Sequence, residues 1–223
     1  MPVKAIIFDL GQTLIPFSFE RLRPRWDVCR EQAARLLVEA EIGELAPLQF
    51  QAAMCRVTRV VPAEFRAWWN SIFEPRWLVP EEWLRSLIST YRVGLLSNTN
   101  AIHFAHLERH FPLLSEFHFR ILSHQVGAAK PAPAIYAAAE SAAGCAPQEL
   151  LYFDDIPAFV EAARRRGWRA ELFEGAEKLA QQLGAQACLP AETAANTAQW
   201  FPVPRPAAAA PSRAKSSPSA PES

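Results

Sequence analysis

Five short apolar runs punctuate the chain: Val3 to Phe8, Val93 to Leu96, Phe117 to Leu122, Leu150 to Phe153 and, less sharply, Arg169 to Phe173. Each has the length of a strand and ends at polar or turn-forming residues. They are near-continuous in apolar positions rather than alternating, so both faces of each strand need cover, as in a parallel sheet. Between the later runs, apolar positions recur at helical spacing over Ala101 to His110, Pro133 to Ala143, Pro157 to Arg166 and Ala176 to Leu183. Pro133 and Pro157 stand at first-turn positions, where a missing N–H costs nothing, and Gly144 and Gly167 follow as helix stops. Strand alternating with helix predicts an α/β fold, a Rossmann-like doubly wound parallel sheet.

From Phe17 to about Thr90 the alternation stops. Pro24 to Ala40 carries Trp26, Cys29, Ala33, Leu36 and Leu37 on one helical face, and Leu48 to Val61, Ala63 to Phe73 and Pro80 to Thr90 continue as helices. This predicts an all-helical domain over 17–89, inserted into a discontinuous α/β core of 1–16 and 90–200. Trp68, Trp69, Trp77 and Trp83 are expected in its core. The last stretch, 201–223, is Pro, Ala and Ser with almost no large apolar residue, and is expected to be disordered because it cannot offset its ordering entropy.

Composition narrows the classes of function. Among 223 residues, 23 Lys+Arg balance 23 Asp+Glu, which removes the electrostatic case for nucleic acid or an anionic membrane as partner. Cys29, Cys55, Cys145 and Cys188 are scattered and read as free thiols of a reducing compartment. The opening Met1 to Asp9 has too short an apolar stretch for a signal peptide, and no run approaches a membrane span, so a cytoplasmic protein is expected. Oligomeric state is not legible in the sequence.

Ligands of a doubly wound sheet bind outside the carboxyl ends of its strands. After the first four strands come Asp9-Leu10-Gly11-Gln12-Thr13, then Ser97-Asn98-Thr99-Asn100, then Gly127-Ala128-Ala129-Lys130-Pro131, then Asp154-Asp155. Carboxylates gathered at one place need a cation, and all-oxygen ligands suit Mg²⁺. Lys130 and Ser97 beside that metal make a pocket for a phosphate-sized anion. Arg21, Arg23, Arg25 and Arg30 at the start of the insertion are candidates for a second anionic group on the substrate. His103, His106 and His110 share a helix face but lack an acidic partner at ligand spacing, and read as a packed or solvated face.

These four segments, in this order, resemble the motifs of the haloacid dehalogenase-like hydrolase superfamily, over roughly Val3 to Ile15 and Tyr91 to Leu183. The insertion then corresponds to that family's helical cap, and Gly43-Glu44 followed by Phe50 resembles a turn and helix start common in such caps. The resemblance implies a Mg²⁺-dependent phosphomonoester hydrolase acting on a small phosphorylated metabolite, a sugar phosphate being one option. In that scheme Asp9 is the nucleophile that forms an aspartyl-phosphate. Ser97 and Lys130 hold the phosphoryl oxygens, and Thr13 and Asn98 with Arg21 and Arg25 contact the substrate. Asp9, the Gly11 carbonyl, Asp154 and Asp155 hold the metal. Two departures stand out: Gly11 replaces the second Asp that usually serves as general acid and base, and Phe159 stands where related chains often carry Asn. A branch with Phe-Asp-Leu-Gly at this place shares the first departure. Two other readings stay open: a metal-independent haloacid dehalogenase, or a weakly active or non-catalytic binding protein with this fold.

Overall fold

The computed structural model describes residues 1–186 and Cys188. The expected disorder of 201–223, and the end of the core at residue 200, lie outside the described residues.

Five strands, β1 (Ala5–Phe8), β2 (Arg92–Ser97), β3 (Phe119–Leu122), β4 (Leu150–Asp154) and β5 (Arg169–Leu172), form one sheet in the order β3-β2-β1-β4-β5. All neighbours run parallel, with Phe8 opposite both Leu95 and Phe153. Every residue of β1 is buried, which is why its run is uniformly apolar. Successive side chains still go to opposite faces. Ile6, Phe8, Val93, Leu95, Leu151 and Phe153 join one core cluster. Ala5, Ile7, Leu96, Leu150 and Tyr152 join the other. The chain builds outward from β1 to β3 and then crosses to β4 on the other side. That reversal opens a crevice at the carboxyl ends of β1 and β4.

The helices are α1 (Arg25–Glu41), α2 (Pro47–Thr58), α3 (Phe65–Asn70), α4 (Glu81–Thr90), α5 (Ala101–His110), α6 (Ser123–Val126), α7 (Pro133–Ala143), α8 (Pro157–Arg165) and α9 (Ala176–Ala185). Pro133 and Pro157 occupy first turns, and Gly144 ends α7 with φ 65°. Asn100 caps α5, its side-chain oxygen accepting from the N–H groups of Ile102 and His103. α2 stops earlier than its apolar pattern suggests. The Thr58 hydroxyl donates to the Met54 carbonyl, and Arg59 turns left-handed with φ 58°.

α1 to α3 enclose a separate cluster in which Trp26, Cys29, Ala33, Phe50, Met54, Phe65 and Trp69 are buried. Trp69 is at its centre, with rings of Phe50, Phe65 and Trp26 within 6.0 Å. α4 packs differently from these three. Its Trp83, Leu84 and Leu87 join the sheet cluster with Val93 and Leu95, because one strongly apolar face of a helix next to β2 finds its largest dry surface on the sheet. The domain expected over 17–89 is thus not uniform in its packing. Two linkers connect α1–α3 to the sheet and run antiparallel to each other. Ser18 N–H donates to the Ile72 carbonyl, Glu74 N–H to Pro16, and Leu78 N–H to Leu14. No helix among the described residues is long and apolar enough to cross a membrane.

Candidate active site

β1 and β4 end side by side, and so deliver Asp9 and Asp154 to the same point. Asp154 is fully buried and Asp9 nearly so. Lys130, between α6 and α7, reaches in from the loop beyond β3. Its ammonium lies 2.6 Å from Asp9 Oδ1 and 2.6 Å from Asp154 Oδ2. Two features of the loop hold Lys130 there. The Asn98 amide donates to the Lys130 carbonyl at 3.0 Å, and the Lys130 N–H donates to Asn98 Oδ1 at 2.7 Å. This reciprocal pair ties the loop after β2 to the loop after β3. Asn98 is thus a brace within the site.

Around this centre several further polar groups are paired. Asp154 also accepts the Ile156 N–H at 2.8 Å and the Tyr152 hydroxyl. The Lys130 ammonium donates to Tyr152 Oη at 3.2 Å and lies 5.0 Å from the centre of the Phe159 ring. Phe159 therefore offers a cation–π contact to Lys130 in place of a polar contact near Asp155. Ser123 accepts the Thr99 N–H and donates to the Thr99 carbonyl, fixing the backbone beyond Ser97.

The electrostatics are those of buried like charges around one cation. Burial raises the Asp9 carboxyl to about 7, Lys130 opposing and Asp154 adding to the rise. For Lys130, burial pulls the ammonium down, but Asp9 and Asp154 together outweigh it and the net shift is upward. Burial and the charge of Asp154 also raise Asp155, which is half-buried. Asp9, Asp154 and Asp155 each offer an oxygen, and the three lie within 4.8 Å of one another. A hard, oxygen-preferring divalent cation fits that donor set and would offset the burial and neighbouring charge that raise Asp9 and Asp155.

A small cavity of about 70 Å³ opens beside the centre, with Gly11, Ser97, Asn98 and Thr99 on the sheet side. Phe17, Phe19, Glu41, Ile72 and Phe73 from the insertion and its linkers form its roof. A Cβ on Gly11 would lie 2.7 Å from the Phe17 ring, so the roof occupies the space that a side chain at position 11 would need. A larger groove of about 490 Å³ between α3 and α5 includes none of the three clustered carboxylates.

Of the expected site residues, Asp9, Lys130, Asp154 and Asp155 converge, and Gly11, Ser97 and Asn98 line the adjoining cavity. Thr13 is fully buried behind the turn, and its hydroxyl makes no hydrogen bond among the described residues. Arg21 and Arg25 are held elsewhere: Arg21 pairs with Glu74 at 3.1 Å, and Arg25 donates to the Arg59 carbonyl at 3.0 Å. Nearby acceptors within the insertion engage both guanidinium groups. The three helix histidines divide too. His103 is buried, and the more exposed His106 and His110 rings are tilted to each other with centroids 4.1 Å apart.

Tyr152 and Glu41 belong to the site without having been legible as such. Tyr152 precedes Asp154 by two positions on a strand, which puts both on one face; that spacing was the available signal. Glu41 has no local signal, because only the docking of α1 brings it to the cavity.

A family model described as haloacid dehalogenase-like hydrolase matches residues 3–167. A protein named as a phosphatase from Mycobacterium tuberculosis (strain CDC 1551 / Oshkosh) is 28% identical over 198 residues, which is 78% of this chain and 88% of that protein. A HAD family enzyme from Bacteroides thetaiotaomicron, solved in complex with magnesium and inorganic phosphate, is 26% identical. It superposes with a TM-score of 0.67, over 76% of this chain and 93% of its own. An L-2-haloacid dehalogenase from Xanthobacter autotrophicus, solved with chloropropionic acid covalently bound, shares the fold at 22% identity and a TM-score of 0.53. That match covers 84% of this chain and 85% of the other.

Proposed function

This chain belongs to the haloacid dehalogenase-like hydrolases, and on that basis we propose that it is a Mg²⁺-dependent phosphomonoester hydrolase acting on a small phosphorylated compound. The observation that carries the reading is the convergence of three carboxylates and one buried ammonium at the ends of β1 and β4. The dehalogenase reading uses the same nucleophile without a metal. Two further carboxylates would repel a haloacid anion unless a cation neutralised them. The solved relative with magnesium and inorganic phosphate supports the same choice.

In this reading Asp9 attacks phosphorus in line, the ester oxygen leaves on the opposite side, and water then hydrolyses the aspartyl-phosphate. Lys130 holds a phosphoryl oxygen and stabilises its growing charge, and Ser97 donates a hydrogen bond to another. Asp9, the Gly11 carbonyl, Asp154 and Asp155 would hold Mg²⁺, which when bound supplies positive charge to the phosphoryl group and to the carboxylates. Thr13 lies behind the floor of the cavity and serves substrate binding indirectly, by supporting the Gly11 turn. α1 to α3 and the linkers act as the cap. The roof of Phe17, Phe19, Ile72 and Phe73 favours a substrate that presents an apolar face, such as a carbon skeleton or the C–H face of a sugar.

A screen of small phosphomonoesters with Mg²⁺, run beside Asp9→Asn, tests the proposal. Phosphate release is expected only with the metal and only with Asp9 intact, the variant losing at least about 10³-fold in rate. Release that persists in Asp9→Asn, or that chelation leaves unchanged, overturns the mechanism. Halide release from a haloacid without metal would select the dehalogenase reading instead.

A further inference from the structure

Every alkyl phosphate faces one difficulty that the carboxylate centre does not solve: the departing alkoxide needs a proton. In-line displacement fixes where that proton must arrive. Asp9 attacks from the floor, so the leaving oxygen points to the roof. The roof residues at this cavity are Phe17, Phe19, Glu41, Ile72 and Phe73. Among them only Glu41 carries an exchangeable side-chain proton.

The other titratable groups nearby are committed. Lys130 is on the floor, bonded to Asp9, Asp154 and Tyr152. His103, at the cavity edge, uses one ring nitrogen on the Trp69 carbonyl and the other on the Asn100 amide. Gly11 has no side chain to offer, and the Phe17 ring fills its place. Glu41 is the last residue of α1 and has no ion-pair partner among the described residues. Two residues on, Gly43 turns left-handed against the His124 carbonyl, fastening this end of α1 to the sheet domain.

We propose that Glu41 is the general acid that protonates the leaving oxygen, and the general base of the second step; this rests on the phosphomonoesterase reading above. In the first step the Asp9–phosphorus bond forms, and the phosphorus–ester oxygen bond breaks with its electron pair on oxygen. The Glu41 proton passes to that oxygen, giving the alcohol and a Glu41 carboxylate. In the second step that carboxylate takes a proton from the attacking water. The water oxygen bonds phosphorus, the Asp9–phosphorus bond breaks, and inorganic phosphate, free Asp9 and protonated Glu41 result. Burial supports the assignment by raising the Glu41 carboxyl to about 7, with Lys130 opposing the rise, so that both protonation states are populated near neutral pH.

The test uses Glu41→Gln with two substrates, an alkyl phosphate and an activated nitrophenyl phosphate whose phenolate departs without a proton. Turnover of the alkyl phosphate is expected to fall about 10²–10⁴-fold. With the nitrophenyl ester the first step survives, so rapid mixing shows a burst of about one phenolate per enzyme before slow steady-state turnover. Alkyl turnover within about threefold of wild type overturns the proposal. Loss of the burst in both Glu41→Gln and Glu41→Ala also overturns it, because Glu41 would then serve phosphoryl capture whatever the leaving group. Failure of the underlying reading looks different: wild-type protein itself would show no Mg²⁺-dependent phosphate release, or Asp9→Asn would retain it.

Discussion

Lys130 concentrates the energetics of the site in one side chain. It is 1% exposed and pairs with Asp9 and Asp154, which are themselves 10% and 0% exposed at their side chains. Breaking a buried ion pair leaves uncompensated charge, which costs far more than the pair contributes. Lys130→Met retains the length of the side chain but leaves two buried carboxylates facing each other. Its stability in EDTA is expected to fall by about 3–5 kcal/mol in denaturant titrations. With Mg²⁺ the loss should be smaller, because the cation supplies the missing positive charge. An equal loss in both conditions contradicts a metal site formed by Asp9 and Asp154.

At the scale of elements, the turn after α1 sets how the helical insertion meets the sheet domain. Gly43 has φ 76°, and a Cβ there would lie 2.5 Å from the His124 carbonyl oxygen. His124 is itself tied to the loop after β2, its ring 2.9 Å from the Thr99 carbonyl. Gly144 makes a useful control, with φ 65° and open space for 4 Å around the position a Cβ would take. Gly144→Ala carries only the left-handed penalty of about 1–2 kcal/mol. Gly43→Ala is expected to lose measurably more in urea titrations, since backbone must also move. It should lower turnover as well, by displacing the end of α1 that bears Glu41. Equal losses in the two variants would mean that the turn does not dock closely.

At the scale of the whole molecule, His103 fastens the helical insertion to the sheet domain. It lies on α5, yet its ring stacks on Trp69 at 4.6 Å, is T-shaped to Phe73 at 4.9 Å, and donates from Nε2 to the Trp69 carbonyl. The carbonyl only accepts, so Nδ1 is left to accept from the Asn100 amide. Burial first, helped by nearby His106, lowers the His103 imidazole to about 3, although the bond to Trp69 opposes the shift. A group lowered in this way is neutral when folded and binds a proton when unfolded, so stability rises with pH through the interval between the two values. Its contribution is complete above about 6.5, the unfolded value, and is lost as pH falls toward 3, by at most on the order of 1 kcal/mol per pH unit. Asp9 and Glu41 are raised on folding and act in the opposite sense between about pH 4 and 7. The check is therefore the difference between wild type and His103→Gln in thermal melts from pH 4 to 8. The variant's stability deficit should be largest at the alkaline end and shrink as pH falls. A deficit independent of pH would show that His103 is not held neutral.

The sequence by itself determined the sheet, the helices that cover it and the three carboxylates that cluster at its carboxyl edge. Those signals are local: a run such as Ala5 to Phe8 is uniformly apolar because both faces are buried, and Asp9 and Asp154 follow directly from such runs. Asn100, Gly144 and the prolines at 133 and 157 mark ends of helices through bonds made within one turn. Tertiary structure alone decided the rest. Arg21 turned to Glu74, and α4 settled on the sheet, because the best partner for each lies far along the chain. Tyr152 joined Lys130, and Phe17 filled the space above Gly11, through the same long-range packing. Glu41 reached the cavity only because Gly43 lets α1 end against His124. An ion pair or a docked helix depends on which surfaces meet, and no spacing along the chain records that meeting.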